Sequence, residues 1–151
     1  MECFKYQLNQ ELDKITQLVE LMQPFVEEGR LLERSYEHLS DCLDDFVFVT
    51  DEYRIIACAG LRLYEKEQFG EIYAFVVNKA YHNTDISEIL MEKLMNKAKQ
   101  LNLDCVFALS KHGGHFFRRH QFIEDVIASL PISRQKSYDY QRKSSIFSRK
   151  L

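Results

Sequence analysis

Three histidines, His112, His115 and His120, cluster around the pair Gly113-Gly114. His112 and His115 fit one helical turn, and imidazole is a common metal ligand. A structural zinc site wants four ligands, and no cysteine or carboxylate lies close by in sequence, so no metal is expected. Gly113-Gly114 fits either a small anion-binding nest or a plain turn. Two arginines, Arg34 and Arg142, have the chemistry to grip a carboxylate in a two-point fork. Arg34 has one acidic neighbour at helical spacing, Glu37, and such a pair is worth little. Read alone, each arginine is equally a solvated surface charge. Asp85 and Glu88 have the spacing of a capping box at a helix start. The run Gln141-Arg142-Lys143-Ser144-Ser145, with Tyr138, Tyr140 and Phe147 around it, offers basic and aromatic groups of the kind nucleic acid uses.

The elements that must position these residues follow from periodicity. Leu8, Leu12, Ile15, Val19 and Met22 predict a first helix stopping before Pro24. Leu32, Tyr36, Leu39 and Leu43 predict a second, over about 31–43. Phe46–Val49 and Ile55–Ala59 read as strands joined by a hairpin turn at Asp51–Arg54. Glu71–Val77 is apolar on both faces, as a central strand is. A short loop, Asn78–Thr84, leads to a helix from Asp85 to about Leu101, with Ile86, Ile89, Leu90, Leu94, Ala98 and Leu101 inward and Asn102 ending it. Cys105–Leu109 is a further buried strand. Strand, helix and strand at this length make a right-handed crossover with parallel strands. Gly113-Gly114 opens a short helix through His120, and the tail from Ser137 to Ile146 predicts a last strand. A leading strand near Phe4–Leu8 is also expected. The order gives an α/β (α+β) fold, a mixed central sheet flanked by helices, with residues 1–151 as a single domain.

Composition excludes other classes. The chain has 151 residues, 46% hydrophobic and 28% charged, which fits neither a disordered tail nor a coiled-coil rod. No apolar run approaches the ~20 residues a membrane span needs. The start, Met1-Glu2-Cys3-Phe4-Lys5, is too polar for a secretion signal. Cys3, Cys42, Cys58 and Cys105 are scattered without a C-x-x-C pair, which points to reduced thiols in the cytoplasm. Net charge is −3, but residues 1–100 carry 11 Lys/Arg against 19 Asp/Glu, and residues 101–151 carry 9 against 4. The basic last third suggests an anionic partner. Overall negative charge and the lack of a nucleic-acid motif rank RNA or DNA below a small molecule.

Five segments carry a family resemblance. Leu31-Leu32-Glu33-Arg34-Ser35 is similar to an "L-L-x-R-S" segment, and Ile56-Ala57-Cys58-Ala59-Gly60-Leu61 to an "I-A-C-A-A-L" strand. Gly70-Glu71 with Val76-Val77 and Tyr81 resembles "G-E-x-A-x-x-A-V-x-P-x-Y-R". His115-Phe116-Phe117 with Phe122 resembles "H-W-F-x-x-x-G-F". Leu130-Pro131 with Tyr138-Asp139-Tyr140-Gln141-Arg142-Lys143-Ser144 resembles "L-P…Y-N-Y-Q-R-x-S". These are the segments of the acetyltransferase part of N-acetylglutamate synthases, within the GCN5-related N-acetyltransferases, and they run collinearly over nearly the whole chain. The long synthases also carry an amino-acid-kinase domain that regulates them through arginine; no such segment is present here, so that control is expected to be absent.

The resemblance implies transfer of acetyl from acetyl-CoA, as co-substrate, to the α-amine of L-glutamate or a related small amine, a step of arginine biosynthesis. It implies Glu71 as the base, acting through water with Ser110, and a backbone N–H near Tyr73–Phe75 for the oxyanion. Arg34, Arg142 and Ser144 are implied for the glutamate carboxylates. Phe75, Val76, Val77, His82, Asn83, Thr84, Asp85, Ile86 and Ser87 are implied around the cofactor. The family's pyrophosphate loop resembles "R/Q-x-x-G-x-G/A"; here both glycines are missing and His82 stands at the arginine position. The alternative reading is therefore a catalytically degenerate module that keeps the fold for binding or regulation. No membrane partner is expected, and the resemblance leaves a homodimer open.

Overall fold

A computed structural model describes the backbone of residues 2–151 and the side chains from Gln10 onward. Its elements are α1 (Glu2–Glu27), α2 (Tyr36–Cys42), β1 (Phe46–Asp51), β2 (Arg54–Tyr64), β3 (Phe69–Val77), α3 (Ile86–Gln100), β4 (Cys105–Ser110), α4 (Gly114–Arg119), β5 (Ile123–Asp125), α5 (Ile132–Lys136) and β6 (Ser145–Lys150). One six-stranded sheet has the order β1-β2-β3-β4-β6-β5. The chain divides into two compact units, residues 1–60 with 74–93 and residues 61–73 with 94–151.

In the first unit α1 buries Ile15, Leu18, Leu21 and Met22, while Leu12 is exposed. The inward stripe is thus rotated from the expected one; Leu8 and Cys3 lie outside the residues whose side chains are described. The expected strand at Phe4–Leu8 is helix instead. Pro24 does not stop α1. It sits exposed in the last turn, where its carbonyl still accepts from the Glu28 amide. The stop comes from Gly29 at φ +73°, with the Arg30 amide reaching back to the Phe25 carbonyl. The second helix is shorter than its apolar spacing suggests. Ser35 accepts from the His38 amide and starts α2 one residue later. Leu32 and Tyr36 are more than half exposed, and only Leu39 is buried among the four expected residues. β1 and β2 form the expected hairpin, Asp51 opposite Arg54, with Glu52 at φ +54° in the turn. Gln17 of α1 caps it by accepting from the Ile55 amide at 2.7 Å.

In the second unit β3 and β4 run parallel, Phe69–Ile72 against Cys105–Ala108, as the crossover predicts. Gly70 is needed here because a Cβ would come within 2.8 Å of both Leu61 and Leu103 side chains. β4 pairs antiparallel with β6, and β5 adds an edge strand to β6. Phe107, Leu130 and Ile146 form a core cluster, with Tyr64, Phe69, Leu109, Ile127 and Tyr138 packed on it. The last strand begins at Ser145 rather than Ser137. The tyrosines before it lie in a turn made by Asp139, whose side chain accepts from the Gln141 and Arg142 amides. α3 ends as expected, with Asn102 left-handed at φ +56° and the Leu103 amide bonded to the Ala98 carbonyl. Leu101, expected inward, is partly exposed. Among the described residues no helix is long and apolar enough to cross a membrane.

Candidate active site

The second unit holds a buried carboxylate. Glu71 lies on β3 opposite Phe107 of β4 and is 5% exposed. Its Oε1 accepts from Tyr64 Oη at 2.9 Å and from Arg134 Nε at 2.9 Å. No described residue hydrogen-bonds Oε2. Tyr64 comes from the end of β2, its ring 5.8 Å from that of Phe107. Arg134 comes from α5, and its Nη1 donates to both the carbonyl and the hydroxyl of Ser137 at 3.0 Å. α5 is anchored by Gln135, which donates to the Leu130 carbonyl at 2.8 Å. Arg62 adds a further positive charge, 4.8 Å from the centroid of the Tyr73 ring.

Burial, and then the neighbouring carboxylate, push the Tyr64 phenol up to about 12 from an ordinary 10.0. It therefore stays protonated and donates to Glu71 throughout the neutral range. The folded state holds this proton more tightly than the unfolded chain does. The group's contribution to stability is whole below about pH 10 and is lost as pH rises toward 12. In an alkaline titration of stability, the wild type is expected to lose more over this window than Tyr64→Phe. Coincident pH profiles for the two would contradict this.

The structure does not bring Ser110 to Glu71. Side chains alternate along a strand, so Ser110, three residues beyond Phe107, belongs to the opposite face. There its Oγ accepts from the Gly113 amide at 2.8 Å. A Cβ at Gly113 would meet that oxygen at 2.7 Å and Phe117 at 3.0 Å, so glycine is required before α4. Arg142 is half-buried, and among the described residues its guanidinium makes no hydrogen bond or ion pair. Lys143 beside it is left-handed at φ +53°. Ser144 is buried, its carbonyl accepting from Tyr138 Oη at 2.7 Å.

The first unit holds the other expected residues. Arg34 is half-buried just before α2, with Nη1 donating to the Leu32 carbonyl. Pairing of β3 with β4 ends at Ile72, and two residues later Ala74 is left-handed at φ +50°. That conformation costs about 1–2 kcal/mol for a residue with a Cβ and turns the backbone in the middle of the Tyr73–Phe75 segment. Beyond Phe75, Val76 and Val77, the His82 ring Nε2 is 2.9 Å from the Val77 carbonyl oxygen. Asn83 is left-handed at φ +64°, the conformation a loop glycine usually supplies. Thr84 Oγ1 accepts from the Ile86 amide, and the Asp85 carbonyl accepts from Ile89, opening the helical ladder. The amides before Ile89, including that of Ser87, lie at the positive end of α3. Lys79 pairs with Glu28.

Sequence reading missed Tyr64 and Arg134. Arg134 is 63 residues from its partner, and no local pattern carries such a pairing. The one signal available was the excess of basic residues in the last third. Among the described residues no group of three or more His, Cys, Asp or Glu is placed to hold a metal ion.

A mixed sheet with a parallel crossover, a left-handed break in the central strand and a helix start after it define the fold. The model of the acetyltransferase (GNAT) family matches residues 12–122, and the chain belongs to that family. An amino-acid acetyltransferase of Aliivibrio fischeri is 37% identical over 136 residues, 90% of this chain and 30% of that one. One from Pseudomonas putida is 33% identical over 150 residues, covering 99% of this chain and 35% of its own length. The chain thus spans about a third of the length of the curated relatives it matches. The N-acetylglutamate synthase of Neisseria gonorrhoeae, solved with coenzyme A and N-acetyl-glutamate, superposes with a TM-score of 0.83 and 29% identity, over 89% of this chain and 32% of that one. A Mycobacterium tuberculosis protein in complex with CoA matches in fold, with a TM-score of 0.77 at 20% identity over 93% of this chain and 95% of its own.

Proposed function

We propose that the chain transfers an acetyl group from acetyl-CoA to the α-amine of L-glutamate or a closely related amino acid. The observation that carries this reading is the buried Glu71, with one carboxylate oxygen fixed by two donors and the other left without a described donor. An α-amine must lose a proton to attack a thioester, and a held carboxylate can take it through a water. The relatives named above support the class of acceptor.

The other residues take roles consistent with this chemistry. The backbone at Tyr73–Phe75, turned at Ala74, is assigned to the thioester carbonyl, where negative charge builds. Acetyl-CoA supplies the activated acetyl group, and as its carbon–sulfur bond breaks coenzyme A leaves as a thiolate that takes a proton from water. The Asn83 turn and the α3 start, through residues His82–Ser87, hold its phosphates. Arg34, Arg142 and Ser144 bind the carboxylates of the amino acid. Unpaired Cys42, Cys58 and Cys105 fit the reducing cytoplasm.

A second reading rests on a specific observation. Asp85 and Glu88 place negative charge at the α3 start, and Lys79 is occupied by Glu28. A chain that had lost the cofactor would show the same features and would serve as a binding or regulatory module. Calorimetry with acetyl-CoA decides between them. Micromolar affinity is expected, and no heat of binding at millimolar ligand would leave the second reading.

A further inference from the structure

The ion pair between Glu71 and Arg134 is buried at the carboxylate and half-buried at the guanidinium, the side chains being 6% and 18% exposed. Burying two charges is expensive, and such a pair is poor evidence of stability in itself. Its geometry is more informative. Arginine commonly meets a carboxylate with two parallel N–H bonds. Here the grip is one-point: Nε meets Oε1, Tyr64 meets the same oxygen, and no described donor meets Oε2. Meanwhile Nη1 is taken by the carbonyl and hydroxyl of Ser137, which fixes the plane of the guanidinium. α5 is itself fixed by Gln135 bonding to the Leu130 and Ala128 carbonyls.

We propose that Arg134 is a positioning residue for the acetyl transfer: with Tyr64 it locks Glu71 through Oε1 and so aims Oε2 at the amine or its water. The inference rests on the reading of Glu71 as the base. Arg134 is engaged by Glu71 and Ser137, so its effect is expected in kcat and not in the binding of either substrate. A carboxylate free to rotate about its last torsions spends most of its time misdirected, and small misplacements are costly to a reaction that depends on alignment.

A double-mutant cycle tests this, with coenzyme A release followed in the presence of acetyl-CoA and L-glutamate, and thermal midpoints read for every variant. Arg134→Gln is expected to lower kcat about tenfold, the loss of one hydrogen bond to a charged group, with both KM values unchanged. Glu71→Gln and Glu71→Gln/Arg134→Gln are expected to have equal kcat, because the aim of a missing base has no value. Arg134→Gln with wild-type kcat, or losses that multiply in the double variant, would overturn the proposal. If Arg134→Gln does not fold, the same cycle is run with Arg134→Lys, which keeps the charge but not the planar fork. A loss in kcat that vanishes in the Glu71→Gln background supports the proposal; no loss, or one that persists there, overturns it. Glu71→Gln at wild-type kcat removes the underlying reading as well, and so does a wild-type chain that turns over acetyl-CoA with no amino acid. An impaired Glu71→Gln beside a normal Arg134→Gln removes only the inference about Arg134.

Discussion

Glu71→Gln is expected to lower kcat by about 10²–10⁴-fold, the range that a positioned general base contributes. The substitution is close to isosteric. The amide oxygen still accepts from Tyr64 and Arg134, so the local hydrogen bonds of the 5%-exposed side chain are kept and its basicity is lost. Both KM values are expected to stay near those of the wild type, because the change removes a proton acceptor and not a binding contact. Steady-state kinetics with each substrate varied in turn gives the answer. A variant with wild-type kcat would show that the amine reaches the thioester already deprotonated and that Glu71 serves packing alone.

Arg142→Ala is expected to raise the KM for L-glutamate about 10²-fold, as for the loss of a charged, two-point hydrogen bond. The KM for acetyl-CoA and the kcat are expected to change little. The argument is one of unsatisfied chemistry in a fixed place. The backbone at Arg142 is held by the Asp139 carboxylate, and the next residue is pinned in the left-handed region. The half-buried guanidinium has no described partner. A charge fixed there without a counter-ion is suited to a ligand carboxylate. Arg142→Lys is expected to recover little, since an ammonium cannot reproduce the fork. Equal rises in both KM values would remove Arg142 from the amino-acid pocket.

What could be read from sequence depended on how local the cause was. β3 and β4 were legible as short continuous apolar runs and α3 from its helical period, and their spacing alone forces the parallel crossover. The hairpin of β1 and β2 was legible from its short polar turn. The end of α1 was not, because Pro24 lies in an exposed last turn where the helix tolerates it, and Gly29 supplies the true stop. α2 was overextended because Leu32 and Tyr36 mimic a buried stripe while standing in solvent. The tail strand was displaced because alternating tyrosines resemble a strand, whereas Asp139 captures two backbone amides and makes a turn. For the site, Glu71 and Arg142 came from collinear motifs. Tyr64 and Arg134 converge on Glu71 only through strand pairing and the placing of α5, which no window of sequence contains.

Residues 130–144 form a single strap of chain. It begins at buried Leu130, presents Arg134 to Glu71, is tied down by Tyr138 to the Ser144 carbonyl, and offers Arg142 on the way. If Arg142 and Glu71 act as proposed, one ribbon carries both the clasp for the amino acid and the guide for the proton acceptor. Both then share one anchorage, the buried Leu130 and the bond from Tyr138 to the Ser144 carbonyl, so a change that loosens the ribbon is expected to disturb amino-acid binding and turnover together.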